Sequence, residues 1–183
     1  RKTMDNKIRA FYTEDKIRVY QAYNEDIARE AIKRGTFGSN FKLDRMTWIK
    51  PSFLWMMYRC GWGKKENQEN ILAIDMKRNA FDFLVQNAIM STYKEDMGIS
   101  YAEWKEQIKK SDIRCQWDPE RDVFGNPLKY RSIQLGLRGE AVKKFVNEWI
   151  VNISDVTDYV KELSKKKNSG EDISLLLPKE KIY

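Results

Sequence analysis

The chain has no histidine and only two cysteines in 183 residues. Without histidine, the Ser-His-Asp triad, the Cys-His dyad, the H-E-x-x-H zinc site and the histidine general base are all excluded. Any chemistry must run on carboxylates, Lys, Tyr, Ser or Thr, or on an activated bond that a ligand brings. Cys60 and Cys115 form no C-x-x-C pair and stand far apart, so they read as small buried hydrophobes. Long apolar runs are missing too. The longest, Phe53 to Tyr58, is far short of a membrane span, and the first residues carry no apolar stretch of signal-peptide type. A cytoplasmic or nuclear location with no membrane partner is expected. Neither G-x-G-x-x-G nor G-x-x-x-x-G-K-[ST] occurs, and no internal repeat is visible.

What the chain does have is a core and a basic surface. Hydrophobic residues make up 42% and aromatics 13%, enough to fold as a globular domain at this length. The net charge of +7 favours polyanionic partners, either nucleic acid or a phosphorylated small molecule. The densest run of charge, Lys165 to Lys167, falls in a polar, Lys-rich stretch. Residues 1–163 are therefore expected as one domain and 164–183 as a polar, Lys-rich tail, mobile or partner-dependent.

The pattern along the chain alternates between strand and helix. Ile17 to Tyr23 reads as a strand. Asn24 is placed to cap a helix with Ile27, Ala28, Ala31 and Ile32 on its apolar stripe, and Gly35 to stop it. Met46 to Lys50 reads as a short strand, and Pro51 as the opening of a buried helix over Ser52 to Tyr58 that Gly61 ends. Ile71 to Met76, Ile113 to Trp117, Tyr130 to Leu137 and Trp149 to Ile153 are further strands. Ala80 to Ile89, Tyr101 to Lys109, Gly139 to Asn147 and Asp155 to Leu163 are further helices. The expected class is α+β, a single domain with a mixed sheet of about five to six strands and flanking helices.

The block from Arg45 to Trp62, RMTWIKPSFLWMMYRCGW, sets three of the six tryptophans among Arg45, Lys50 and Arg59. Thr47, Lys50 and Ser52 cluster where the strand meets the helix. A helix N-terminus presents free N–H groups and partial positive charge, so Lys50 and Ser52 are candidates to hold a phosphate, with Trp48 or Trp55 as a flat face for a ring. On the first strand, Arg18, Gln21 and Tyr23 are candidates, since a Gln among apolar neighbours needs a hydrogen-bond partner. A third group comprises QWDPER (Gln116 to Arg121), Arg131, Gln134 and Arg138. Its carboxylates, Asp118, Glu120 and Asp122, do not follow the EF-hand spacing, and no metal site is expected. Glu148 is the acid beside the late strands.

The strings VYQAY, RMTWIKPSFLWMMYR, QWDPER and RSIQLGLRG together resemble the domain-of-unknown-function family numbered forty-two ninety-one, over about Ile8 to Tyr159. A second resemblance is to the ADP-ribosyltransferase-like fold, in VYQAY, AREAIKRG and Phe37. It implies NAD as the ligand and transfer of ADP-ribose to a protein or nucleic acid. Arg18, Gln21, Tyr23, Arg45, Thr47, Trp48, Lys50 and Ser52 would hold the nucleotide, and Glu148 or Gln134 would stand for the catalytic glutamate. That superfamily usually has Arg or His where this chain has Gln21, and its late-strand glutamate has no clean counterpart here. The alternative expectation is a nucleic-acid-binding module without catalysis.

Overall fold

A computed structural model describes residues 6–183. Its elements run β1 (Arg9–Ala10), β2 (Lys16–Tyr23), α1 (Glu25–Arg34), β3 (Thr47–Ile49), α2 (Phe53–Cys60), β4 (Asn70–Lys77), α3 (Arg78–Asn87) and β5 (Ile89–Met90). They continue with α4 (Tyr101–Lys110), β6 (Ile113–Arg121), β7 (Pro127–Leu137), α5 (Gly139–Lys144), β8 (Ile150–Asp155), α6 (Thr157–Asn168) and β9 (Lys181–Ile182). The class is α+β, in a single domain.

Local chemistry sets the element ends. The Asn24 side chain accepts from the Ile27 N–H at 3.1 Å, which satisfies one of the donors every helix start leaves free. At the other end of α1, Gly35 sits at φ 81° and its N–H closes on the Ala31 carbonyl, a conformation that glycine adopts without Cβ strain. Helix α2 begins one residue later than expected. Ser52, not Pro51, is its boundary, and the Ser52 hydroxyl accepts from the Trp55 N–H at 3.0 Å.

Where one mixed sheet of five to six strands is expected, seven strands divide between two main sheets. One is β2-β4-β8, all antiparallel; the other is β3-β7-β6-β5, in which only β5 and β6 run parallel. A third, small sheet pairs β1 with β9. The three-stranded sheet is covered on both faces. Ile17, Val19, Leu72, Ile74 and Met76 enter one core cluster, and Tyr20, Ile71 and Ala73 enter another with α2 and α6. That double burial is why β4 reads as an almost unbroken apolar run.

The two main sheets are joined at one bridge, where the Tyr20 N–H donates to the Lys50 carbonyl at 2.8 Å. Strand β6 continues past the expected end at Trp117 to Arg121, and a tight turn over 122–126 returns the chain into β7. Pro119 is tolerated because β6 pairs with β5 only at Arg114 and Cys115 and is an edge beyond them.

Residues 164–183, expected as a mobile or partner-dependent tail, lie against the body. Helix α6 runs on to Asn168, Ile173 is buried, and Tyr183 packs edge-on against Tyr12 and Phe81. Apolar anchors spaced among the lysines do this, and a composition count does not register them. Both cysteines are buried and unpaired. Among the described residues no helix is long and apolar enough to cross a membrane.

Candidate functional site

A cleft of about 640 Å³ opens beside the Tyr20–Lys50 bridge, within the size range of small-molecule sites. Its walls come from the end of β2, from β3 and the residue after it, from one face of α2, and from the middle of β6 and β7. Lys50, Arg59 and Arg121 give it three cations against one carboxylate, Asp118.

Lys50 is 5% exposed. Its ammonium lies 3.4 Å from the Trp48 carbonyl and 5.9 Å from the centre of the Trp55 ring. No Asp or Glu among the described residues comes within 4.0 Å of it. Burial, with Arg59 adding repulsion, lowers the Lys50 amine from 10.5 to about 8. Asp118, in the same cleft but beyond salt-bridge distance, offsets only part of this cost, and an anionic ligand would relieve the rest.

An amide and hydroxyl network stands next to it. Gln21 Nε2 donates to the Trp48 carbonyl at 3.0 Å and to the Tyr23 hydroxyl at 3.0 Å, and that hydroxyl lies 3.1 Å from the Thr47 hydroxyl. Gln21 Oε1 is buried with no partner. Burial pushes the Tyr23 phenol up to about 12, so it keeps its proton at neutral pH. Trp48 is fixed by what lies under it. The Trp48 ring sits across β7 at Gly136, its register partner, where a Cβ would meet the indole at 2.9 Å and the Met46 sulfur at 2.8 Å.

Opposite these, Asp118 is held at both oxygens. Gln116 Nε2 donates to Oδ1 at 3.0 Å and Gln134 Nε2 to Oδ2 at 2.9 Å. The antiparallel register that sets Gln116 beside Gln134 produces this clamp. The neighbouring acids turn elsewhere. Glu120 accepts from the Ser52 hydroxyl at 2.9 Å, and Asp122 accepts from backbone N–H groups of its own turn. At the rim, the Arg121 guanidinium lies 3.9 Å over the Tyr58 ring.

Of the residues singled out in the sequence, Gln21, Tyr23, Thr47, Trp48, Lys50 and Gln134 come together in this cleft. Arg45 lines an adjoining hollow with Tyr23 and Thr47. Three residues lie elsewhere. Arg18 is locked in a two-point pair with Asp75 at 2.8 and 3.0 Å, its register partner on β4. Ser52 is buried and committed to Glu120 and to the start of α2, whose next free N–H, on Phe53, is taken by Glu180 at 2.9 Å. The helix start expected to bind an anion is therefore filled by the protein's own groups. Glu148 is exposed in a π-type turn, Phe145–Trp149, and lines none of the clefts described here. Arg59, Asp118 and Arg121, which stand in the sequence's candidate segments without a role in the nucleotide site, also line this cleft. For Asp118 the alternation with Gln116 along one strand face was the available signal.

A family model described as "Domain of unknown function (DUF4291)" matches residues 7–183, and the chain belongs to that family. A search of curated proteins finds no match.

Proposed function

We propose that this member of the DUF4291 family binds a nucleotide in the cleft between its two sheets, and that NAD is the ligand whose ADP-ribosyl group it transfers or hydrolyses. The observation that carries the reading is Lys50, a buried ammonium with no carboxylate within salt-bridge distance, on the wall of a cleft that also holds Arg59 and Arg121. Three cations suit a pyrophosphate, and the Trp48 indole and Tyr58 ring offer flat faces to a base or nicotinamide.

Cleavage of a nicotinamide–ribose bond develops positive charge on the ribosyl carbon, and a fixed carboxylate stabilises it best when it need not reorganise. Asp118 suits that role in place of Glu148, because it is the acid in the cleft and two amides pin it. Gln134 is then a positioning residue. Gln21, Tyr23 and Thr47 offer hydrogen bonds suited to ribose hydroxyls.

The test is a thermal-shift panel of NAD, ADP-ribose and other nucleotides against the parent and Lys50→Ala, with nicotinamide release followed by mass spectrometry. A ligand that binds the native state raises the midpoint by mass action. NAD or ADP-ribose is expected to do so in the parent and at least tenfold more weakly in Lys50→Ala. Equal binding by the two proteins would remove Lys50 from the site. Binding without nicotinamide release would reduce the reading to a nucleotide-binding protein.

A further inference from the structure

Among the described residues, four buried side-chain polar atoms have no partner: Asn6 Oδ1, Gln21 Oε1, Arg114 Nε and Arg121 Nε. Four in a domain of this size is an ordinary number; their placement is what bears on function. All four residues line hollows along one strand, β6. Gln21 and Arg121 belong to the central cleft, Asn6 to a second cleft of about 610 Å³, and Arg114 to a third hollow against α4. The central and second clefts share Gln116 and Asp118 as a common wall. Strand alternation puts Arg114 on the same face as those two residues. From Arg114 to Arg121 the strand covers roughly 23 Å.

The charge along this path is predominantly positive. Nine lysine and arginine side chains line the three hollows against three carboxylates. Aromatic rings are interleaved with them: Trp48 and Tyr58 in the central cleft, Trp117 in the second, and Tyr101, 53% exposed, in the third. A run of cations tracking a backbone, with flat faces between, is the arrangement that binds single-stranded nucleic acid. The orphan atoms fit the same ligand. Bases present N–H donors to the amide oxygens and acceptors to the two arginines; an acidic peptide supplies both as well, and the interleaved rings, on which bases stack, are what favour a nucleic acid over it. The direction of Gln21 Oε1 is fixed, because the Gln21 amide nitrogen is spent on the Trp48 carbonyl.

We propose that a single strand of nucleic acid lies along β6, with phosphates on Arg121, Arg131 and Arg114 and bases against the interleaved rings. The proposal goes beyond the nucleotide site in the central cleft and does not need that site to be catalytic.

The experiment is fluorescence anisotropy of the full chain with a labelled 12-nucleotide strand, DNA and RNA in turn, and with the matching duplex, across a salt series. Alongside runs the double variant Arg114→Gln/Arg131→Gln, whose altered residues lie outside the central cleft. The parent is expected to bind the single strand with affinity that falls steeply with salt. In the double variant affinity should fall at least fivefold, and the salt slope should become shallower by about 1.4, roughly 0.7 for each lost phosphate contact on a single strand. Its melting curve and its response to NAD or ADP-ribose should match the parent, which separates this surface from the nucleotide reading. Three results would overturn the assignment: no binding at 50 mM salt (on the order of the low-salt limit used for such slopes), equal affinity for the duplex, or a double variant that binds like the parent. If the double variant melts early, Arg131→Gln alone, at an exposed position in the second cleft, carries the same test with half the expected change in slope.

Discussion

Replacing Lys50 with methionine should make the unliganded protein more stable, and the gain can be worked out. Burial and the nearby Arg59 lower the Lys50 amine from 10.5 to about 8. Each pKa unit corresponds to 1.36 kcal/mol, so the charged lysine costs the native state about 3 kcal/mol at neutral pH. The sign follows from proton counting. Between pH 8 and 10.5 the unfolded chain keeps a proton on this lysine that the folded chain has released, so stability contributed by this group rises with pH across that window. Below pH 8 both states are protonated and the full cost is present. Methionine matches the length of the lysine stem and removes the charge. Urea denaturation of parent and Lys50→Met at pH 7 and pH 10 tests this. The variant should be up to about 3 kcal/mol more stable at pH 7, and the difference should shrink toward pH 10. Taking the difference between the two proteins cancels the tyrosines and surface lysines that also titrate there. A variant less stable than the parent at pH 7, or a difference that does not change with pH, would refute the picture of an incompletely compensated buried cation. Such a cost is the mark of a residue kept for binding, because site residues are commonly arranged at the expense of stability.

Gly136→Ala should push the Trp48 indole off β7, since the added Cβ falls 2.9 Å from the ring. A changed near-ultraviolet circular dichroism band, a stability loss of about 1–3 kcal/mol and weaker nucleotide binding are expected. Asp75→Ala strands the half-buried Arg18 guanidinium and should cost about 2 kcal/mol in chemical denaturation. It should leave nucleotide affinity unchanged, and a large loss of affinity would return Arg18 to the site. Burial pushes the Glu180 carboxyl up to about 8, with Glu120 adding to it. Between pH 4.5 and 8 the folded state therefore holds a proton that the unfolded chain has lost. Stability contributed by this group falls as pH rises through that window, and Glu180→Gln should flatten the fall. A Glu180→Gln melting profile parallel to the parent's would contradict it.

Much of the cleft could be read in the sequence because the relevant patterns are local. Gln21 and Tyr23 share a face by strand alternation, and Thr47, Trp48 and Lys50 are neighbours in the chain. What failed was the assignment of charges whose partners lie far away. Arg18 was free by sequence but meets Asp75, 57 residues on, through the β2–β4 register. Ser52 meets Glu120, 68 residues on, and Phe53 meets Glu180, 127 residues on. By chain position Glu148 is the acid nearest a late strand. It falls in the turn before β8, and its side chain faces solvent.

Asn24, Gly35 and Gly61 as helix ends, the alternation of the strands, the histidine-free chemistry and the basic surface are all legible in the chain alone. These depend on residues within about four positions of one another or on composition alone. Only the tertiary structure decided which cations are paired and which stay unpaired, where the two sheets meet at Tyr20 and Lys50, and that Gln116 and Gln134 close on Asp118. Those outcomes follow from strand register and from packing between distant segments, and a one-residue slip in either would exchange a site residue for a core residue.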